Sequence, residues 1–187
     1  MKDSASHPPE AFPLQTIKEI RMTIFMILQF AAAIGAGLTA GIFYAFSTFV
    51  MAGLGRIPPE QGIAAMNSIN VTVINPWFMA VFTGTPVLCA ILIIMTLSKW
   101  SEPGAFYIIA ASAIYIAGSF IVTMIFNVPL NDALAAAAPA SSEGATLWAR
   151  YLVDWTWWNH VRTALPLVAM ALFIIGLVAQ GRSLPAS

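Results

Sequence analysis

Trp148, Tyr151, Trp155, Trp157, Trp158, Asn159, His160 and Arg162 crowd into fifteen positions. An imidazole exchanges protons near neutral pH, and a guanidinium holds anions. Here both immediately precede an unbroken apolar run, where an ionisable side chain is a functional candidate. The alternatives are an interfacial aromatic belt for the tryptophans and a histidine paired for structural reasons. Helical geometry divides the group. At about 100° per residue, Trp148, Tyr151, Trp155, Asn159, Arg162 and Pro166 share one face, whereas His160 falls with Val153, Trp157 and Ala164. His160 and Arg162 are then roughly 160° apart and are not expected to touch the same ligand atom, unless Pro166 bends the helix.

Two further groups carry polar chemistry. Asn127-Val128-Pro129-Leu130-Asn131-Asp132 sets two amides and a carboxylate where a helix is expected to end, either as turn formers beside proline or as part of a site. Tyr44, Ser47, Thr48 and Met51 follow i, i+3, i+4, i+7 spacing, which suits either an interfacial aromatic face or the wall of a substrate pocket. Just before them, Gly37 and Gly41 form a small-xxx-small pattern that Ala33 extends, a packing stripe for a neighbouring helix. Asn70 and Asn75 carry amides that need partners wherever they are buried, and capping is the commoner use.

The elements that must position these residues are membrane helices. Of the 187 residues 59% are hydrophobic and only 9% charged, far below the roughly 25% of a water-soluble domain. Four stretches reach the ~20 apolar residues that a span requires: Met22–Leu54, Asn75–Leu97, Ala105–Phe126 and a segment within Trp155–Ala179. Pro76 suits a first helical turn, and Asn127-Val128-Pro129 is expected to stop the third helix. Residues 1–21 read as a tail and a short helix starting at the capping-box pattern Thr16-Ile17-Lys18-Glu19, residues 22–179 as the membrane domain and residues 180–187 as a tail. The fold class expected is an all-α integral membrane protein, a four-helix bundle with two longer loops on one side. Those loops, roughly Gly55–Ile74 and Asn127–Trp155, include a short helix over Ile63–Ile74 and an Ala- and Pro-rich loop over Ala133–Ala140.

Charge fixes an expected orientation. Lys2, Lys18, Arg21, Lys99 and Arg182 fall on one side against Arg56, Arg150 and Arg162 on the other, which places the termini in the cytoplasm and the two longer loops outside an inner or plasma membrane. Eight basic and eight acidic residues leave no footprint for nucleic acid. Cys89 is the one cysteine, which excludes an intrachain disulfide and Cys-based zinc or iron–sulfur sites within one chain. Only His160 could serve a haem near a membrane end, and no haem-attachment motif accompanies it.

The strings Gly41-Ile42-Phe43-Tyr44-Ala45-Phe46-Ser47, Pro59-Glu60-Gln61-Gly62-Ile63-Ala64-Ala65-Met66, Asn75-Pro76, Asn127-Val128-Pro129-Leu130-Asn131 and Trp158-Asn159-His160-Val161-Arg162-Thr163 resemble the anthrone-oxygenase-like family of small four-helix membrane proteins. The likeness runs over roughly Phe30–Leu177, in order and with matching spacing. It implies a cofactor-independent oxygenase that oxidises an anthrone-like or other phenolic aromatic with O2, using neither metal nor flavin. Such a reaction needs a base, donors for a developing oxyanion and a flat apolar pocket. In that scheme His160 is the base and Asp132 its orienting carboxylate, while Asn127, Asn131 and Asn159 donate to the substrate oxygen and Arg162 holds anionic charge. Tyr44, Trp155 and Trp157 wall the aromatic, with Ser47 on the same pocket face. The partners expected are the lipid bilayer, a small aromatic substrate and O2, with a homo-oligomer or a membrane-complex partner as a further association. The competing readings are a non-catalytic subunit of a larger membrane complex and a binding protein for a lipophilic aromatic or quinone.

Overall fold

The computed structural model describes Leu14–Arg182, so the tail before Leu14 and the residues after Arg182 lie outside the described residues. All regular structure among them is helical. Four helices are long and apolar enough to cross a membrane: α1 (Leu14–Leu54), α3 (Pro76–Leu97), α4 (Ala105–Ala136) and α5 (Ser142–Gly181), with a shorter α2 (Pro59–Thr72) between the first two. They close into a ring in which α1 packs against α3 and α5, and α4 against the same two. Helix α2 lies over one end, against the end of α4 and the first half of α5.

Local chemistry explains most boundaries. Asn75 caps α3, its Oδ1 accepting from the Trp77 and Phe78 amides at 3.1 Å each, and Pro76 follows where no donor is needed. Pro59 starts α2 in the same way, so that helix begins before Ile63 and absorbs much of the expected loop. Ser141 caps α5 through the Gly144 amide at 2.9 Å. Helix α1 is already under way at Leu14, ahead of the Thr16 capping pattern. Gly104 opens α4 at φ 87°, and a Cβ there would stand 2.7 Å from the Gly176 carbonyl oxygen.

Two boundaries differ from the sequence expectation. Pro129 does not stop α4, which runs on to Ala136 and converts half of the expected Ala-rich loop into helix. The reason is a widened π turn over Thr123–Asn127, whose change of hydrogen-bond register falls just where proline lacks its N–H. Likewise α5 starts at Ser142 rather than near Trp155, leaving a short connection after α4. The packing stripe on α1 also moves: Ala32, Ala33, Gly35, Ala36, Thr39, Ala40 and Phe43 are buried, Gly37 is half-buried and Gly41 is exposed. Gly35 packs tightly on Thr85 of α3, and Gly118 of α4 on Leu165 of α5.

The core has two parts. One fills the bundle with Leu92, Ile108, Tyr115, Phe173 and the small residues of α1. The other joins α2 to the capped end through Met51, Ile63, Met66, Leu134, Trp148, Tyr151 and Trp155. A cavity lies beneath this second core.

Candidate functional site

The buried face of α5 is the one that its periodicity implies: Trp148, Tyr151, Trp155, Asn159, Arg162 and Pro166 all point inward. Two of these, Trp155 and Arg162, with Asn70 of α2 and Thr123 and Asn131 of α4, form the polar end of a cavity of about 280 Å³. That volume lies near the lower edge of small-molecule pockets. Its walls are Ile42, Phe43 and Phe46 from α1, Met66, Ile69 and Asn70 from α2, and Phe78, Met79 and Phe82 from α3. Val73 and Ile74 come from the connection before α3, Thr123, Met124, Val128 and Asn131 from α4, and Trp155 and Arg162 from α5. Phe78 stacks on Phe82 at 5.4 Å, and Phe46 leans on Trp155 at 5.6 Å, so much of the wall is aromatic.

Arg162 is 4% exposed, and among the described residues no carboxylate pairs with it. Its guanidinium sits over the Phe43 ring at 4.2 Å and the Trp155 ring at 4.9 Å. It donates to Asn159 Oδ1 at 2.8 Å and to Thr123 Oγ1 at 3.2 Å, and its Nε has no partner. Asn159 is held in turn, donating to the Phe43 carbonyl at 2.6 Å and to Ser47 Oγ at 2.8 Å. The Phe43 carbonyl adjoins the π turn Phe46–Val50 of α1, a change of register that exposes backbone acceptors to side chains. Thr163 completes this layer through Ser47 Oγ at 3.0 Å.

Asn131 is fixed as strictly. Its Oδ1 accepts from the Tyr151 hydroxyl and from Trp155 Nε1, each at 2.8 Å. Both acceptor sites of the amide oxygen are thus engaged, and its NH₂ group is left as the donor that a ligand can use. Asn127 stands one layer back, donating to the Trp155 carbonyl at 3.2 Å. Among the residues lining the cavity there is no histidine and no carboxylate. Its polar end therefore offers donors and one uncompensated positive charge, a setting for an oxyanion.

The residues singled out from sequence separate into three groups. Asn131, Trp155 and Arg162 line the cavity. Ser47, Asn127 and Asn159 form the hydrogen-bonded layer that orients them. Tyr44, Asp132, Trp157 and His160 are exposed on the outer surface of their helices, with Trp157 at 62%, and none of the four lines the cavity. For His160 the reason is helical phase, which sets it apart from Asn159 and Arg162. Tyr44 likewise stands one position, about 100°, round from buried Phe43, and the π turn after Ala45 sets Ser47 and Met51 inward while Thr48 stays exposed. Asn70, Thr123 and the wall phenylalanines had no signal beyond their type.

No curated protein and no solved structure matches the chain. Residues 77–172, just over half of it, match the sequence model of the family described as anthrone oxygenase. That segment runs from the first turn of α3 into α5 and contains Asn131, Trp155, Asn159 and Arg162. The chain belongs to the anthrone oxygenase family.

Proposed function

We propose that the protein is a membrane-embedded oxygenase that oxidises a flat, ionisable aromatic of the anthrone type with O2 inside this cavity. The observation that carries the reading is Arg162, a buried cation without an acidic partner at the polar end of an aromatic-walled cavity. A buried charge lacking a counter-ion is costly, and an anionic ligand offsets that cost. The conjugate base of an anthrone is a planar phenolate, which suits both the aromatic walls and the guanidinium.

The chemistry then asks little of a protein base. By binding the phenolate in preference to the neutral ketone, Arg162 draws the ionised form out of the membrane, the proton leaving to water. The anion gives one electron to O2, and the radical pair combines at carbon to form a peroxide, which takes up a proton. Loss of water from that peroxide leaves a quinone, so one oxygen atom ends in the product and the other in water. Apolar walls keep water from the reactive anion. His160, on the outer face of α5, would serve as base only for a ligand held on that face, so we place the chemistry in the cavity.

Oxygen consumption by purified protein supplied with a simple anthrone tests this. Wild-type protein is expected to consume O2, Arg162→Met to lose at least about a hundredfold in rate, as for other oxyanion donors, and His160→Ala to stay within about twofold. Helical circular dichroism checks the folding of each. Loss of activity in His160→Ala with full activity in Arg162→Met would move the reaction to the outer face. The second reading, a binding protein for the same lipophilic anion or its quinone, draws on the absence of any titratable acid or histidine from the cavity wall, and retained ligand without O2 uptake would establish it.

A further inference from the structure

Asn70 belongs to α2, outside the segment that matches the family, yet its side chain lines the cavity. Its amide nitrogen is buried and makes no hydrogen bond within the fold. That amide faces the Tyr151 hydroxyl, which already donates to Asn131, without closing a well-formed hydrogen bond to it. Asn70 and Asn131 therefore stand on either side of one tyrosine hydroxyl, each with an amide N–H left over for a third group. A buried donor with no acceptor is costly, and an acceptor on a ligand in the cavity offsets that cost.

The amide pair is distinct from Arg162. Trp155 contacts both, its ring edge donating to Asn131 at 2.8 Å while its face carries the guanidinium at 4.9 Å. The indole thus separates one donor group from the other by roughly its own width, and a single small oxygen is poorly placed to satisfy both. We infer that Asn70 is a ligand-positioning residue and that, with Asn131, it binds a second oxygen of the ligand, so that the cavity takes planar aromatics carrying two acceptor oxygens: one at Arg162 and one at the amide pair. Helix α2 then supplies selectivity between oxygenated aromatics and bare hydrocarbons of the same shape. This rests on the cavity assigned above as the ligand site, and not on turnover.

Equilibrium binding tests it without catalysis. Quenching of intrinsic tryptophan fluorescence is titrated with two inert probes, a dihydroxyanthraquinone and anthracene, for wild type, Asn70→Ala and Asn70→Asp in detergent. The wild type is expected to prefer the quinone by at least about tenfold, and Asn70→Ala to lose about tenfold on the quinone while its anthracene affinity holds. Asn70→Asp, nearly isosteric but stripped of the donor, is expected to lose at least as much on the quinone, which keeps the test valid if the alanine variant folds poorly. Equal losses on both probes, or none on the quinone, would overturn the inference. A protein that binds the quinone through Asn70 yet consumes no O2 with an anthrone would leave it standing while the oxygenase reading fails.

Discussion

Asn131 separates the two duties that a buried amide can have. Its oxygen satisfies two buried donors, and its NH₂ faces the cavity. In Asn131→Asp a carboxylate still accepts from Tyr151 and Trp155, but the free donor becomes an acceptor and a negative charge enters the region of Arg162. The expected outcome is a melting temperature close to wild type together with loss of anion binding, because the new carboxylate competes for the guanidinium. Asn131→Leu instead orphans both donors, and at about 1–3 kcal/mol for each buried group left unpaired it should cost roughly 2–6 kcal/mol of stability. Chemical unfolding in detergent alongside quinone titration reads both variants. Parallel losses of stability and binding in the two would show that Asn131 acts only as a brace.

Helix contacts set the geometry that these residues need, and the glycines show where there is no slack. At Gly118 an added Cβ would run into Leu165 Cβ, an atom bonded to backbone, so α4 and α5 would have to part beside Thr123 and Arg162. A Cβ added at Gly41 would meet nothing within 4 Å beyond its own helix backbone among the described residues. We expect Gly118→Ala to destabilise by about 1–3 kcal/mol and to weaken ligand binding, and Gly41→Ala to be neutral or to stabilise by about 0.5 kcal/mol. Thermal unfolding of the two proteins side by side checks the contrast. The same pair shows what the sequence made legible. Apolar length revealed the four spans, and a 3.6-residue period assigned the buried face of α5, because that helix keeps its regular register from Ser142 to Gly181. On α1 the period misled at Gly41 and Tyr44, since the small-residue face lies about 100° round from Gly41 and a π turn intervenes after Ala45. Proline and Ala-rich composition read as loop at Pro59 and Ala133 because a missing donor is harmless at a first turn or a register shift, which only the fold specifies. The cavity itself needed five elements to meet, and Asn70 carries no periodic signal of its own.

Orientation is decided by the molecule as a whole, and burial sharpens it. Phe25, Thr96, Lys99, Glu102 and Gln180 line one crevice, so the first residues of α1, the α3–α4 connection and the end of α5 share an end. Lys18, Arg21, Lys99 and Arg182 are exposed there, whereas Arg56 and Arg150 are exposed towards the capped end. Arg162 is buried inside the bundle and drops out of the comparison, because the positive-inside rule counts charges in flanking loops. What remains favours the crevice end in the cytoplasm and α2, with the cavity beneath it, at the opposite membrane face. Chemistry supplies a clean reporter, since Cys89 is the chain's one cysteine and is buried on α3. Single cysteines replacing exposed Glu60 on α2 or exposed Glu102 in the α3–α4 connection can therefore be read against a silent background. A membrane-impermeant maleimide added to intact cells is expected to label Glu60→Cys and to reach Glu102→Cys only after permeabilisation. The reverse pattern would invert the protein and put the cavity at the cytoplasmic face, where a ligand made inside the cell would reach the capped end without crossing the bilayer.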